Sequence, residues 1–131
     1  MSNSELYEKG VAMRRQLRSA EEFEKNASEY AESPAKQGFI DIVTETVFGA
    51  LWSRPGLDVK TRTLICVVSD TATGRYPELE IHLKFALHQG WTEEELTETL
   101  YHMLGYVGAP LVRDAIFVAE KVFAEERAKK S

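Results

Sequence analysis

One cysteine and three histidines are spread through 131 residues, and no hydrophobic run approaches the roughly 20 residues that span a bilayer. The lone thiol, Cys66, has no internal disulfide partner, and its neighbours Ile65 and Val67 predict a buried, inert side chain. Cationic excess is missing too. Sixteen Lys and Arg face 21 Asp and Glu, a net charge of -5, so a surface of clustered bases for nucleic-acid phosphates is not expected. Neither nucleic acid nor membrane is expected as a partner. The segment "MSNSELYEKG" carries neither the basic start nor the apolar stretch of an export signal, so a cytoplasmic location is expected. HExxH, CxxC, GxSxG and a glycine-rich phosphate loop are all absent from the sequence, and the histidines fall on faces that do not converge. Neither a metal site nor a phosphate-binding loop is therefore expected.

Period-two alternation is also missing, so no strand is predicted. The chain instead reads as all-α, one domain over residues 1–131, with about six helices joined by short turns. A first helix is predicted from about Ser4 to Arg18, and "SAEEFEKNASEYAE" makes a short, polar second. Ser33 before Pro34 has the form of an N-cap with proline at the first helical position, opening a helix that runs to about Trp52. Asp58 caps "VKTRTLICVVSDTAT", which ends at Gly74. Pro77 opens the next helix and Gly90 closes it. Thr92 and Glu95 have capping-box spacing. That helix fades through Gly105 and Gly108, and Pro110 begins the last one.

Several helices are apolar on two sides at about 100° per residue. Leu79, Leu83 and Ala86 form the main stripe of the helix after Pro77, with Ile81 and Phe85 off it. Leu111, Ala115, Val118 and Val122 make one stripe of the last helix, and Ile116 and Phe123 another. Trp52 falls away from the Ile40, Val43, Val47, Leu51 stripe. Surplus apolar surface predicts subunit contacts and a symmetric homo-oligomer.

The chemistry-bearing candidates centre on "PELEIHLKFALHQG". His82 lies at the edge of the core stripe, and Glu78, one turn earlier, shares its flank. A His bonded to a carboxylate suits proton transfer, yet an isolated Glu–His pair fits a structural contact better. His88 points to solvent, and His102 is a second candidate beside Thr99 and Tyr106. Arg54 and Arg62 have the planar fork that binds carboxylates. Arg14 and Arg15 are adjacent, so one faces a partner or pocket while the other is solvated. Glu45 shares a flank with Gly49 and Trp52, in a pocket or on an interface rim.

Taken in order, "FGALWSRPGLDVKTRTLI", "PELEIHLKFALHQGWTEEEL" and "YVGAP" resemble the carboxymuconolactone decarboxylase family, over about Gly38 to Ala119. "KGVAMRRQL" is similar to the family's N-terminal segment with paired arginines. The resemblance implies an alkylhydroperoxidase-D-like helical fold assembled as trimers or hexamers, with sites at subunit contacts. It implies cofactor-independent decarboxylation of a small carboxylated lactone in aromatic-acid degradation. His82 would then transfer the proton, Glu78 or Glu45 orient it, Arg54 and Arg62 hold carboxylates, and Trp52 form an apolar wall. Thiol peroxidases of the same superfamily use CxxC followed by His, where this chain has Arg75 and Glu78, so that chemistry has no electron path. Departures are Ser69, Asp70, Thr71 and Thr73 in a helix that is more often apolar, Arg113 near a usual Asn, and a missing His after "RRQL". They leave two alternatives: an enzyme for a different carboxylated lactone or enone, and a non-catalytic oligomeric acid-binding protein.

Overall fold

In the computed structural model, which describes residues 4–130, regular structure is helical and no strand occurs among those residues. The elements are α1 (Glu5–Gln16), α2 (Ala20–Tyr30), α3 (Pro34–Val43), α4 (Val59–Thr73), α5 (Tyr76–His88), α6 (Glu93–His102), α7 (Leu104–Val107) and α8 (Ala109–Lys130). Helix α3 continues directly into a π-helical segment, Thr44–Trp52. Five starts share one cause: Ser4, Ser19, Ser33, Asp58 and Thr92 accept from the N–H three residues on, satisfying a donor the helix leaves unpaired. The expected capping box of Thr92 and Glu95 is formed from both sides. Where a fade through Gly105 and Gly108 was expected, the single turn of α7 stands alone, which accounts for part of the excess over about six helices.

The chain divides into two compact units, the first ending at Leu57 and the second beginning at Asp58. In the first, α1 packs most extensively against the π-helical segment. Two glycines permit the approach. A Cβ at Gly10 would lie 1.9 Å from the Thr44 carbonyl oxygen, and one at Gly49 would lie 2.0 Å from that of Leu6. The wide i→i+5 turn also explains a misread face. Val47 and Leu51, expected in the core, are exposed, while Thr44, Gly49 and Trp52 are buried. Thr44 and Gly49 are five residues apart, so the inward face follows the π repeat rather than the α repeat. Trp52 stacks on Phe48 at 5.9 Å between ring centroids.

Arg14 and Arg15 separate as their adjacency predicts. Arg14 is only 6% exposed and donates to Thr44 Oγ1 at 3.3 Å and Asn26 Oδ1 at 2.6 Å. Burial lowers its pKa from the usual guanidinium value. Arg15 is exposed, over the ring of Phe23. Burial likewise takes Arg18 down to about 10, with Arg14 adding to the effect.

The second unit has its own core, centred on Val67, Leu79, Leu83, Leu96, Leu100 and Val122, all 0% exposed. Helix α5 packs against both α4 and α8. That corrects part of the two-sided reading: Phe85 and Phe123 are buried within the unit instead of lying on outer faces, whereas Ile81 is exposed. At the α4 start, the Trp91 indole donates to the Lys60 carbonyl at 2.7 Å while the Lys60 ammonium lies over its ring. Cys66 is half-buried, and burial, with the nearby Asp70 charge second, pushes its thiol up to about 11.

Two measurements follow from this packing. Gly10→Ala forces a methyl carbon into the Thr44 backbone carbonyl and should destabilise the protein by about 3 kcal/mol or more in urea unfolding, whereas Gly38→Ala, which meets nothing within 4 Å, should be neutral or stabilising by up to ~1 kcal/mol. Equal effects would contradict the close approach. With its thiol near 11 instead of 9.0, Cys66 should be alkylated by iodoacetamide at pH 8 on the order of 100-fold more slowly than an unshifted thiol.

Candidate active site

Within the second unit, the connection between α4 and α5 sets the site. Gly74 ends α4 in the left-handed region, with φ of 68°, which a side chain would resist. The Arg75 N–H then bonds back to the Asp70 carbonyl at 2.9 Å, and α5 begins at Tyr76 with Pro77 in its first turn. Two residues thus reverse the chain, and side chains near the end of α4 meet those in the second turn of α5.

The pair that meets is Asp70 and His82. Asp70 Oδ2 lies 2.5 Å from His82 Nδ1. The carboxylate is 9% exposed and the imidazole 22%. Phe85 stands edge-on to the imidazole at 5.4 Å between centroids, with the planes at 66°. The other ring nitrogen, Nε2, has no protein partner among the described residues. An imidazole held at one nitrogen and open at the other can take or give a proton.

Asp70 therefore stands where Glu78 or Glu45 was expected. Glu78 is exposed in the first turn of α5 and makes no hydrogen bond or ion pair among the described residues. Its i,i+4 spacing from His82 was real, but the imidazole turns toward α4. Glu45, in the first unit, accepts from the Ser4 hydroxyl at 2.7 Å, the same Ser4 that caps α1. Arg62 is half-buried in the first turn of α4, and Arg54 is exposed in the turn after the π-helical segment. Trp52 is 7% exposed and packs inside its unit, which fits a core role better than a pocket wall.

The polar departures in α4 have separate explanations. Thr71 and Thr73 return their hydroxyls to the Val67 and Ser69 carbonyls, both at 2.8 Å, so the helix satisfies them itself. Asp70 is satisfied only across the hairpin. Arg113 is exposed and pairs with its neighbour Asp114 at 3.1 Å. His88 is exposed, as expected. His102 sits beside Tyr106 at 5.2 Å and lines an open, mainly apolar cleft of about 660 Å³, with Val68, Ala72, Thr99 and Met103. His82 does not line that cleft. Among the described residues no three His, Cys, Asp or Glu side chains gather as a metal would require, and no helix is long and apolar enough to cross a membrane.

The chain is 32% identical over 127 residues to a 4-carboxymuconolactone decarboxylase of Acinetobacter baylyi, covering 95% of this chain and 92% of the relative. It is 32% identical over 116 residues to the nitrosuccinic acid decarboxylase of Metarhizium robertsii, covering 88% and 80%. An uncharacterized 15.0 kDa protein of Paracoccus denitrificans is 37% identical over 84 residues, 63% of each chain. The model of the carboxymuconolactone decarboxylase family matches residues 37–121, a stretch that includes both Asp70 and His82. By that match, over more than half its length, the chain belongs to the carboxymuconolactone decarboxylase family.

Proposed function

We propose that this protein is a carboxy-lyase that removes CO2 from a small carboxylated lactone without a cofactor, with His82 as the proton carrier. The observation that carries the reading is the His82 ring, held at Nδ1 and open at Nε2, in a chain of this family. When the carboxylate leaves γ-carboxymuconolactone, its bonding electrons pass through the ring alkene to the lactone carbonyl as a dienolate. A proton then returns to carbon and the carbonyl re-forms. The substrate is its own electron sink. The protein has to hold the remaining carboxylate, favour charge on oxygen and deliver one proton. Arg62, in the same unit as His82, is the carboxylate anchor in this reading, because a guanidinium fork matches a carboxylate in two hydrogen bonds.

The relative acting on nitrosuccinic acid supports a second substrate class. A nitro group beside the departing carboxylate would accept the same electrons, so the demands on the protein are alike: one anchored carboxylate and one returned proton. The reading also takes the protein as cytoplasmic, of the alkylhydroperoxidase-D-like fold and assembled as a homo-oligomer. Exposed Phe39 and Ile42 in the first unit, and Ile65, Tyr106 and Phe117 in the second, support assembly. Light scattering should give a closed multiple of the chain mass, and a monomer at every concentration would contradict it.

The activity test is CO2 release from γ-carboxymuconolactone and, in parallel, from nitrosuccinate. The lactone is expected to react. Turnover of nitrosuccinate alone would move the substrate to the second class, and no release from either would overturn the reading. His82→Ala should lower kcat on the order of 10² to 10⁴-fold with the folded assembly unchanged. Near-normal turnover in that variant would remove His82 from the mechanism.

A further inference from the structure

We propose that Asp70 is the positioning residue of this reaction: it holds His82 in the Nδ1–H tautomer, so that Nε2 is the nitrogen that exchanges the proton with substrate. The inference rests on the proton-transfer role of His82 proposed above and adds the residue through which that role is set.

The geometry is specific. An aspartate carboxylate only accepts hydrogen bonds, so at 2.5 Å from Oδ2 the shared proton belongs to Nδ1, and the lone pair of the neutral ring is left on Nε2. The carboxylate, at 9% exposed, is the more buried partner, and the imidazole, at 22%, is the one that reaches solvent. Support thus lies behind the ring and reactivity in front. Phe85 against the ring limits its rotation about the same axis. No Lys or Arg forms an ion pair with Asp70 among the described residues, so its one side-chain partner is His82.

A carboxylate buried with a single, conditionally charged partner is a costly way to join two helices. The α4–α5 contact does not depend on it, since Val67, Leu79 and Leu83 already close that interface with no exposed surface. The neighbouring threonines on α4 are satisfied by their own helix and do not compete for the imidazole. Glu78, one helical turn before His82 on α5, is exposed, and Glu80 pairs with Lys121. A tautomer fixed by a buried carboxylate matters for a ring that must present one nitrogen to a reacting carbon, and it has no use in a histidine that only fills space.

The test compares the wild-type protein with Asp70→Asn and Asp70→Glu by two readouts. In long-range ¹H–¹⁵N spectra the neutral His82 ring of the wild type should carry its proton on Nδ1. Asp70→Asn, whose amide can accept from Nδ1 or donate to it, should lose that single tautomer while keeping its helical circular dichroism. Asp70→Glu should keep it. In CO2 release, Asp70→Asn should lower kcat on the order of 100-fold or more with KM changed less than about threefold, because Asp70 does not touch substrate. Asp70→Glu should recover at least a tenth of the wild-type rate. A wild-type ring protonated on Nε2 would overturn the proposal, as would an unchanged kcat in Asp70→Asn. If the wild type releases no CO2 from either acid, the decarboxylase reading fails, and the tautomer spectra still decide for or against Asp70.

Discussion

The contact between Asp70 and His82 is the constraint around which the second unit makes sense. It needs three things at once: a left-handed residue at Gly74, a two-residue reversal, and helices close enough for a short carboxylate to reach an imidazole. Gly74 supplies the first, the Arg75 N–H bonded to the Asp70 carbonyl supplies the second, and the Val67, Leu79 and Leu83 core supplies the third. Burial of each such leucine contributes about 1.5–3 kcal/mol, so the apolar core can hold a polar pair that alone would oppose folding. The same backbone reversal that ends α4 thereby sets the imidazole's angle.

The first unit is organised by a different constraint, close approach of backbones. Gly10 and Gly49 remove side chains where α1 crosses the π-helical segment, and Thr44 sits in that contact, where it receives a hydrogen bond from buried Arg14. The π turn is what rotates Thr44, Gly49 and Trp52 inward. Had the segment stayed α-helical, Val47 and Leu51 would have continued the inward stripe begun by Ile40. Apolar side chains on the outer face of this unit are thus partly a product of helix geometry.

Capping chemistry made most of the helix starts legible in sequence, since Ser, Asp and Thr at those positions act within a few residues of themselves. Gly74, Gly90 and the Thr92 capping box were legible for the same reason. The π-helical segment was not, because its residues carry no local mark of an i→i+5 pattern, and a 3.6-residue period assigns them the wrong face. Around the candidate site, the position of His82 at the edge of its stripe was legible, and its imidazole is 22% exposed. Its partner was not legible, because Glu78 offered an i,i+4 neighbour on the same helix while the real contact spans an interhelical turn. A signal was present all the same: once Gly74 is taken as the end of α4, a two-residue connection makes the helices hairpin partners. Asp70, four residues before that glycine, is then the one acid on the last turns of α4. Its placement turns an apparent departure from the family's apolar helix into the most informative residue of the chain.

In the proposed reaction, where the substrate stores its own electrons, the demand on an imidazole with one nitrogen held and one open is to place one proton well. A proton given by a fixed imidazole arrives on one face of the carbon. A proton taken from bulk water by a released intermediate arrives on both. The most direct measurement is therefore to run the wild-type reaction on γ-carboxymuconolactone in D2O and determine, by deuterium NMR of the product in a chiral aligning medium, the configuration at the carbon beside the carbonyl. One deuterium on a single face is the result expected of a held imidazole; deuterium distributed over both faces at the earliest times would contradict it.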